Sequence, residues 1–257
     1  MKKTNACLKN NELTAVLNTH FRGKLNLARV KLISLFVCSL CKVQTVTFDK
    51  LANAFDHATL SGSSLRRIQR FIAHYALDTD LIAKLIFSLL HGQDRLKLTI
   101  DRTNWRFGKT DINIFILGVV YQGVAFPLLF TMLDKRGNSN SQERLDIIEH
   151  FVGLFAKQCI EYLVADREFV GEKWIPYLNR ERIRYHIRIR NNFKVYLPRK
   201  GREIKASWLF NDLRVGQYSH YDKIVSINGQ YYYLSGCKLQ KGDFLIIVSF
   251  NTNYTSK

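Results

Sequence analysis

No stretch of this sequence stays apolar for long. The longest such run, Leu32 to Cys41, is fenced by Lys31 and Lys42, far short of the roughly 20 residues a helix needs to span a bilayer. The first ten residues, Met-Lys-Lys-Thr-Asn-Ala-Cys-Leu-Lys-Asn, place no apolar segment behind their lysines, so they do not read as a secretory signal. Cysteine is sparse: five, an odd number at irregular spacing, as expected in a reducing compartment rather than in a disulfide framework. Cys38 and Cys41 form a Cys-x2-Cys without a second ligand pair for zinc. They lie in an apolar helical pattern and are expected to be buried helix thiols. The seven histidines show no ligand spacing and read as structural. Internal repeats and low-complexity tracts are missing. Acid is the other shortage, with 21 acidic residues against 39 basic ones and a formal charge of +18. That excess attracts polyanions. With no membrane segment, it points to nucleic acid; an unspecific basic surface is the competing reading.

What is there divides by periodicity. Residues 1 to about 92 read as helical. Phe21 to Val46 is apolar nearly all round and is expected to be a well-buried helix. Thr47 is an N-cap candidate for a helix burying Phe48, Leu51, Ala52 and Phe55. A turn from Thr59 to Ser63, containing Gly62, precedes a helix from Ser64 with Leu65, Ile68, Ile72 and Tyr75 inward and Arg66, Arg67, Gln69 and Arg70 outward. Two short helices, a glycine turn and a basic second helix suggest a helix-turn-helix or a looser relative, with Arg66, Arg67 and Arg70 against DNA. The same pattern also suits an ordinary amphipathic helix with a solvated face. A helix from Asp80 to His91 closes the region.

From residue 95 the period changes to two. Strands 96–101, 112–121 and 124–133 read as an antiparallel meander, with Pro127 marking an edge or a bulge. A polar loop from Asp134, a helix from Ser139 to Phe155, a strand from Ile160 to Ala165, a helix from about Gly171 to Arg182 distorted at Pro176, and a strand 184–190 follow. The order β-β-β-α-β-α-β, with a helical crossover that lets the fourth strand pair parallel to the first, is the ribonuclease-H-like pattern. Beyond Phe193, tyrosine-rich strands 217–226 and 230–236 around Asn228-Gly229, then 243–250, read as a small β subdomain. The expected division is a helical DNA-binding region over 1–92, an α/β ribonuclease-H-like core over 93–192 and an inserted β subdomain over 193–257.

Two strands end on a carboxylate followed by arginine: Leu-Lys-Leu-Thr-Ile-Asp101-Arg102, and Ile-Glu-Tyr-Leu-Val-Ala-Asp166-Arg167. If the strands are neighbours, Asp101 and Asp166 converge. Carboxylates without histidine or thiolate suit a hard, oxygen-preferring ion, Mg²⁺ or Mn²⁺, and two ions about 3.5–4 Å apart would serve a phosphodiester displacement. Arg102 and Arg167 would face phosphate oxygens. Arg188 and Arg190 share one face of the strand 184–190, with Lys194 beyond, and are read as DNA-backbone contacts. The alternative for each aspartate is a cap on a strand-to-loop turn, where Asp is frequent. Trp105, Trp174 and Trp208 could stack on bases but are read as packing.

Several segments together carry a resemblance: Asp101-Arg-Thr-Asn-Trp-Arg-Phe-Gly-Lys, Lys135-Arg-Gly-Asn-Ser, Ala165-Asp-Arg-Glu-Phe-Val-Gly-Glu-Lys-Trp, and the stretch from Ile187 to Phe193. Over about residues 45 to 250 the chain resembles bacterial insertion-sequence transposases of the DDE class, in the insertion-sequence-four family. The resemblance implies a ribonuclease-H-like fold and cut-and-paste transposition with Mg²⁺ and water. It implies that Asp101 and Asp166 are the first two metal-ligating acids, and that double-stranded DNA, as transposon ends and target, is the partner. It leaves room for a homodimer, and it places the protein in the bacterial cytoplasm at the nucleoid. The family's third acid is a glutamate in a Tyr-x2-Arg-x3-Glu-x6-Lys helix beyond the inserted strands. No such segment occurs here: Tyr177-Leu-Asn-Arg-Glu-Arg-Ile-Arg184 has arginine at the glutamate position. The expectation is therefore a truncated or frame-disrupted transposase, crippled in catalysis but still able to hold DNA. Rival readings are a catalytically dead DNA-binding remnant and a ribonuclease-H-like nuclease acting on RNA–DNA hybrids.

Overall fold

The computed structural model describes residues 2–55, 60–90, 95–171 and 173–250. Thr59, His91 and Glu172, which fall in segments named above, lie outside them. The chain divides into one unit up to Leu85 and a second from Ile86.

The first unit is helical. Helix α1 (Lys2–His20) precedes the helix expected over Phe21 to Val46, which is present as α2 (Leu27–Val43) but starts later. The later start has a local cause: the Asn26 side chain accepts the Arg29 N–H at 2.9 Å and so caps the helix there. Helix α2 is buried on two sides. Val30 and Ile33 join Leu17, Phe21, Leu81 and Leu85, while Leu32 and Leu35 join Leu51, Ala52, Phe55 and Ile68. Its last turn packs Leu40 and Val43 against the second cluster and turns the thiols away, so Cys41 is exposed and Cys38 only half-buried, contrary to expectation. Helix α3 (Phe48–Asn53) is short. Helix α4 (Ser61–His74) starts three residues earlier than the sequence suggests and takes Gly62 into its first turn. Ser64 and Ile68 are its buried positions, and Phe71 packs against both clusters. Ile72, expected inward, is 53% exposed because Phe71 fills that side. Helix α5 (Thr79–Leu89) buries Leu81, Ala83 and Leu85.

The second unit is a mixed α+β structure on one ten-stranded sheet. Its strands are β1 (Leu96–Phe107), β2 (Thr110–Tyr121), β3 (Val124–Met132), β4 (Ile160–Ala165), β5 (Tyr185–Ile189), β6 (Lys194–Leu197), β7 (Arg202–Lys205), β8 (Tyr218–Ile227), β9 (Gln230–Lys238) and β10 (Phe244–Ser249). The order across the sheet is β3-β2-β1-β4-β5-β10-β9-β8-β6-β7. The first three strands form the expected meander. β3 is an edge strand, and the register slips at Leu117/Gly118 opposite Pro127, so Pro127 occupies both an edge and a bulge, where its missing N–H costs little. Strands β1 and β4 pair in parallel, as do β4 and β5.

The C-terminal strands do not stand apart. β10 pairs antiparallel with β5 and carries β9 and β8 into the same sheet. Over the described residues 193–250, the expected separate subdomain is thus a lateral extension of the core sheet, because a strand edge left open by β5 is a ready template for pairing. Strands β6 and β7 were not foreseen.

Alternation sorts the central strands into two faces. Leu96, Leu98, Ile100, Leu163, Ala165, Ile187, Ile189, Ile246 and Val248 are buried, each such aliphatic side chain stabilising by about 1.5–3 kcal/mol relative to exposure. Helix α6 (Ser141–Phe155) begins with a capping box between Asn140 and Glu143. It buries Arg144, Ile147, Ile148 and Phe151. Helix α7 (Trp174–Arg180) carries Pro176 in its first turn, where a missing N–H is harmless, so the expected distortion does not arise.

Candidate metal and nucleic-acid site

The parallel register of β1 and β4 opposes Ile100 to Ala165. β1 does not end at Asp101 as expected but runs on to Phe107, whereas Asp166 follows directly on the last residue of β4; the register sets the two carboxylates level on neighbouring backbones. Because Ile100 and Ala165 point into the core, Asp101 and Asp166 share the other face with Thr99 and Val164. Together with His186 and Arg188 from β5 and Leu245 and Ile247 from β10, these residues line a cleft of about 450 Å³. Both aspartates are exposed. The Asp101 Oδ1 accepts its neighbour's N–H, from Arg102, at 2.7 Å, and an Asp166 oxygen lies 3.6 Å from Arg188 Nη1.

Asp243 opens β10 at the same end of the sheet. Its carboxyl is held below the ordinary range, chiefly by a hydrogen bond from the Asn191 amide, then by the Phe244 N–H and the positive charges of Arg188 and Arg167. Those charges place Arg167 and Arg188 around the carboxyl-end rim, with Arg167 exposed.

Arg102 takes a different role from the one expected. As the residue after Asp101 on a strand it points to the opposite face. Its guanidinium, 9% exposed, donates to both Glu168 oxygens at 3.2 Å, to Asn113 Oδ1 at 3.3 Å and to Asn138 Oδ1 at 3.1 Å. With those donors engaged it is a clamp on the turn after β4, not a phosphate contact. Asn113 is buried and donates to the Lys135 and Gly137 carbonyls at 2.8 and 3.0 Å, which fastens the polar loop to the same point. Arg144 completes the fixture from α6. It donates to the Ser139 hydroxyl and carbonyl and to the Glu168 carbonyl at 3.0 Å, and lies over the Phe169 ring. Burial pulls its pKa down from the ordinary arginine value. Three of the segments that carried the resemblance are thus joined around the Asp166 turn.

The remaining expected nucleic-acid contacts fall in separate places. Arg190 is exposed past the end of β5. Lys194 lies on β6 and pairs with Glu203 at 3.1 Å. Arg66, Arg67 and Arg70 form an exposed stripe on α4, in the first unit. Trp174 is fully buried, whereas Trp105 and Trp208 are 47% and 57% exposed.

His186 is the residue sequence reasoning passed over. Its Nδ1 shares a 3.0 Å hydrogen bond with the Ser249 hydroxyl, its ring stands edge-on to Tyr162, and burial lowers its pKa below the usual histidine value. The available signal was its alternation with Arg188, two residues on along the same strand.

The donor set at Asp101 and Asp166 is all oxygen, adjacent and open to solvent, which fits a hard divalent ion that keeps several waters. Among the described residues no group of three or more histidine, cysteine or acidic side chains is placed to hold a metal. Among those residues no helix is long and apolar enough to cross a membrane.

No protein-family model matches the chain, and no curated protein matches it. Solved structures do. It is similar to a chain of the piggyBac transposase synaptic complex with hairpin DNA, at 14% identity and a TM-score of 0.43, over 97% of this chain and 60% of that one. It is similar to a chain of the simian T-cell lymphotropic virus intasome in complex with a PP2A regulatory subunit, at 12% identity and a TM-score of 0.31, over 56% and 52%. The Bacillus subtilis endonuclease V aligns at 11% identity and a TM-score of 0.32, over 67% and 77%. The chain therefore spans about 60% of the length of the first of these.

Proposed function

We propose that this chain is a ribonuclease-H-like DNA-processing protein of the DDE transposase kind, in which Asp101 and Asp166 bind Mg²⁺ or Mn²⁺ beside the phosphodiester of a double-stranded DNA end. The observation that carries the reading is the parallel register that sets Asp101, within β1, level with Asp166, just past the end of β4, on one exposed face in a cleft rimmed by arginine. A bound divalent ion would neutralise phosphate charge and lower the pKa of a coordinated water. The chain's own residues do the rest. Arg167 and Arg188 orient phosphate oxygens by charge-assisted hydrogen bonds. The Arg102 and Arg144 clamp fixes the turn that carries Asp166. On α4, Arg66, Arg67 and Arg70 add sequence-independent affinity for the DNA backbone. With two carboxylates at the site among the described residues, ion binding is expected to be weak and strand cutting slow. The finer assignment is to the insertion-sequence-four family, acting at transposon ends.

The test is Mn²⁺ binding, read by the loss of the free-ion electron paramagnetic resonance signal, with Mg²⁺ competition. Asp101→Asn and Asp166→Asn should each weaken Mn²⁺ by tenfold or more, on the order of a lost ligand's effect. Unchanged Mn²⁺ affinity in both variants sinks the metal-site reading. Robust Mg²⁺-dependent nicking of duplex DNA by the unaltered chain would keep the site and refute the slow-cutting clause.

A further inference from the structure

The opposite end of the sheet carries a second basic concavity. At the amino ends of β1, β4 and β5, Arg95, Lys157, Arg180, Arg182 and Arg184 line a cleft of about 490 Å³. Asp101 lies six residues along β1 from Arg95, about 20 Å at strand rise, so this cleft is separate from the carboxylate pair. Two acids share it. Glu181 sits between Lys157 Nζ and Arg180 Nε, both at 3.3 Å; Glu161 is the other. Arg95 and Arg182 form no ion pair with a described residue and are exposed, so the cleft keeps net positive charge facing solvent.

The backbone here is bent at a cost. Arg182 adopts φ 55°, and Ala156, next to Lys157, has φ 68° and ψ 151°. Glycine takes these conformations freely, and other residues do so under strain. The Arg182 turn closes α7, with the Ile183 N–H donating to the Leu178 carbonyl at 2.9 Å. It is a position where glycine is usual and an arginine side chain is presented instead.

We propose that this cleft is a phosphate-binding site, occupied by the backbone of a nucleic-acid duplex at a place distinct from the Asp101–Asp166 cleft. Several cations converging on one concavity of this size suit successive phosphate oxygens. The proposal does not depend on the metal reading, and its test is run with chelator present.

The test compares the full chain with Arg95→Gln/Arg182→Gly, and with a control, Lys50→Gln/Lys84→Gln, that removes the same charge from exposed helix positions of the first unit. Arg182→Gly relieves the left-handed strain, so the melting temperature should hold or rise. Binding of a short labelled duplex, measured by fluorescence anisotropy across a salt series, should weaken about tenfold in the cleft variant, with a log–log salt slope shallower by about 2. The control should change far less. A second arm follows thermal stabilisation by inorganic phosphate. If only that stabilisation is lost in the cleft variant while duplex binding is intact, the oxyanion site stands and its ligand is free phosphate. If neither measurement separates the cleft variant from the control, the proposal is overturned.

Discussion

The clamp between Arg102 and Glu168 gives the sharpest quantitative expectation. The Arg102 side chain is 9% exposed and that of Glu168 27%. Arg102→Met removes the guanidinium and leaves the carboxylate mostly desolvated with its bidentate partner gone. Breaking a fully buried pair costs about 3–5 kcal/mol. Partial access of water to Glu168 reduces this to roughly 2–3 kcal/mol. For a unit the size of the second one, that lowers the melting temperature by on the order of 5–10 °C. Replacing both partners, Arg102→Met/Glu168→Met, removes the desolvated charges together. The double variant should recover at least about 1 kcal/mol relative to the sum of the singles, less than full recovery because Asn113 and Asn138 lose a donor. Denaturant melts of the four proteins give the coupling. A functional arm runs beside it: the turn that holds Asp166 is fixed through Glu168, so Arg102→Met should weaken Mn²⁺ about tenfold even where the protein is folded. Additive single effects, or unaltered Mn²⁺ affinity in folded Arg102→Met, would refute the claim that this pair positions the site.

Three other outcomes are expected. A Cβ at Gly236 would collide with the Phe210 ring, so Gly236→Ala should destabilise by about 1–3 kcal/mol, read as a shift in the denaturant midpoint; a neutral change would show that the ring moves freely. Burial depresses the pKa of His186, and of His220 beside the Ser235 hydroxyl. A depressed folded-state pKa contributes stability that is present above the unfolded value of about 6.5 and lost as pH falls through the folded value. Stability should therefore drop on acidification from neutral pH, and His186→Gln should flatten that slope. Arg188 lies 3.6 Å from Asp166 in an exposed pair, so Arg188→Gln should tighten Mn²⁺ by a few-fold at most and weaken duplex binding. Parallel changes in the two affinities would contradict its place between carboxylate and phosphate.

The meander, the crossover to a parallel fourth strand and the level placement of Asp101 and Asp166 were legible because period-two alternation is a strong local signal and a parallel pair fixes which residues lie level; the end of β1 was misread, since the strand runs past Asp101 to Phe107. Other features were not. The start of α2 depends on one Asn26 hydrogen bond inside an apolar stretch that reads as continuous. The joining of β10 to β5 depends on an edge that only the assembled sheet exposes, so the last strands looked like a module of their own. The burial of Arg144 reverses the usual rule for a charged residue. It follows from acceptors at Ser139 and Glu168 that lie close in the fold but, for Glu168, 24 residues away in the chain.

The two Asp-Arg pairs show where pattern reading and geometry part. Both were given one meaning, acid on metal and arginine on phosphate. Yet β1 runs on to Phe107, so Asp101 and Arg102 are consecutive strand residues and must face opposite sides. β4 stops at Ala165, the chain turns at Asp166, and Arg167 is free of that constraint. The length of a strand past its acid therefore decides what the next arginine can reach. Over Asp101 to Phe107 the sequence carries neither glycine nor proline, so a strand continuing past the acid, with Arg102 on the other face, was readable there. The arginine that shares the acid's face lies instead two residues beyond His186 on the neighbouring strand. Arg188 reaches Asp166 because β4 and β5 run parallel and His186 stands level with Val164.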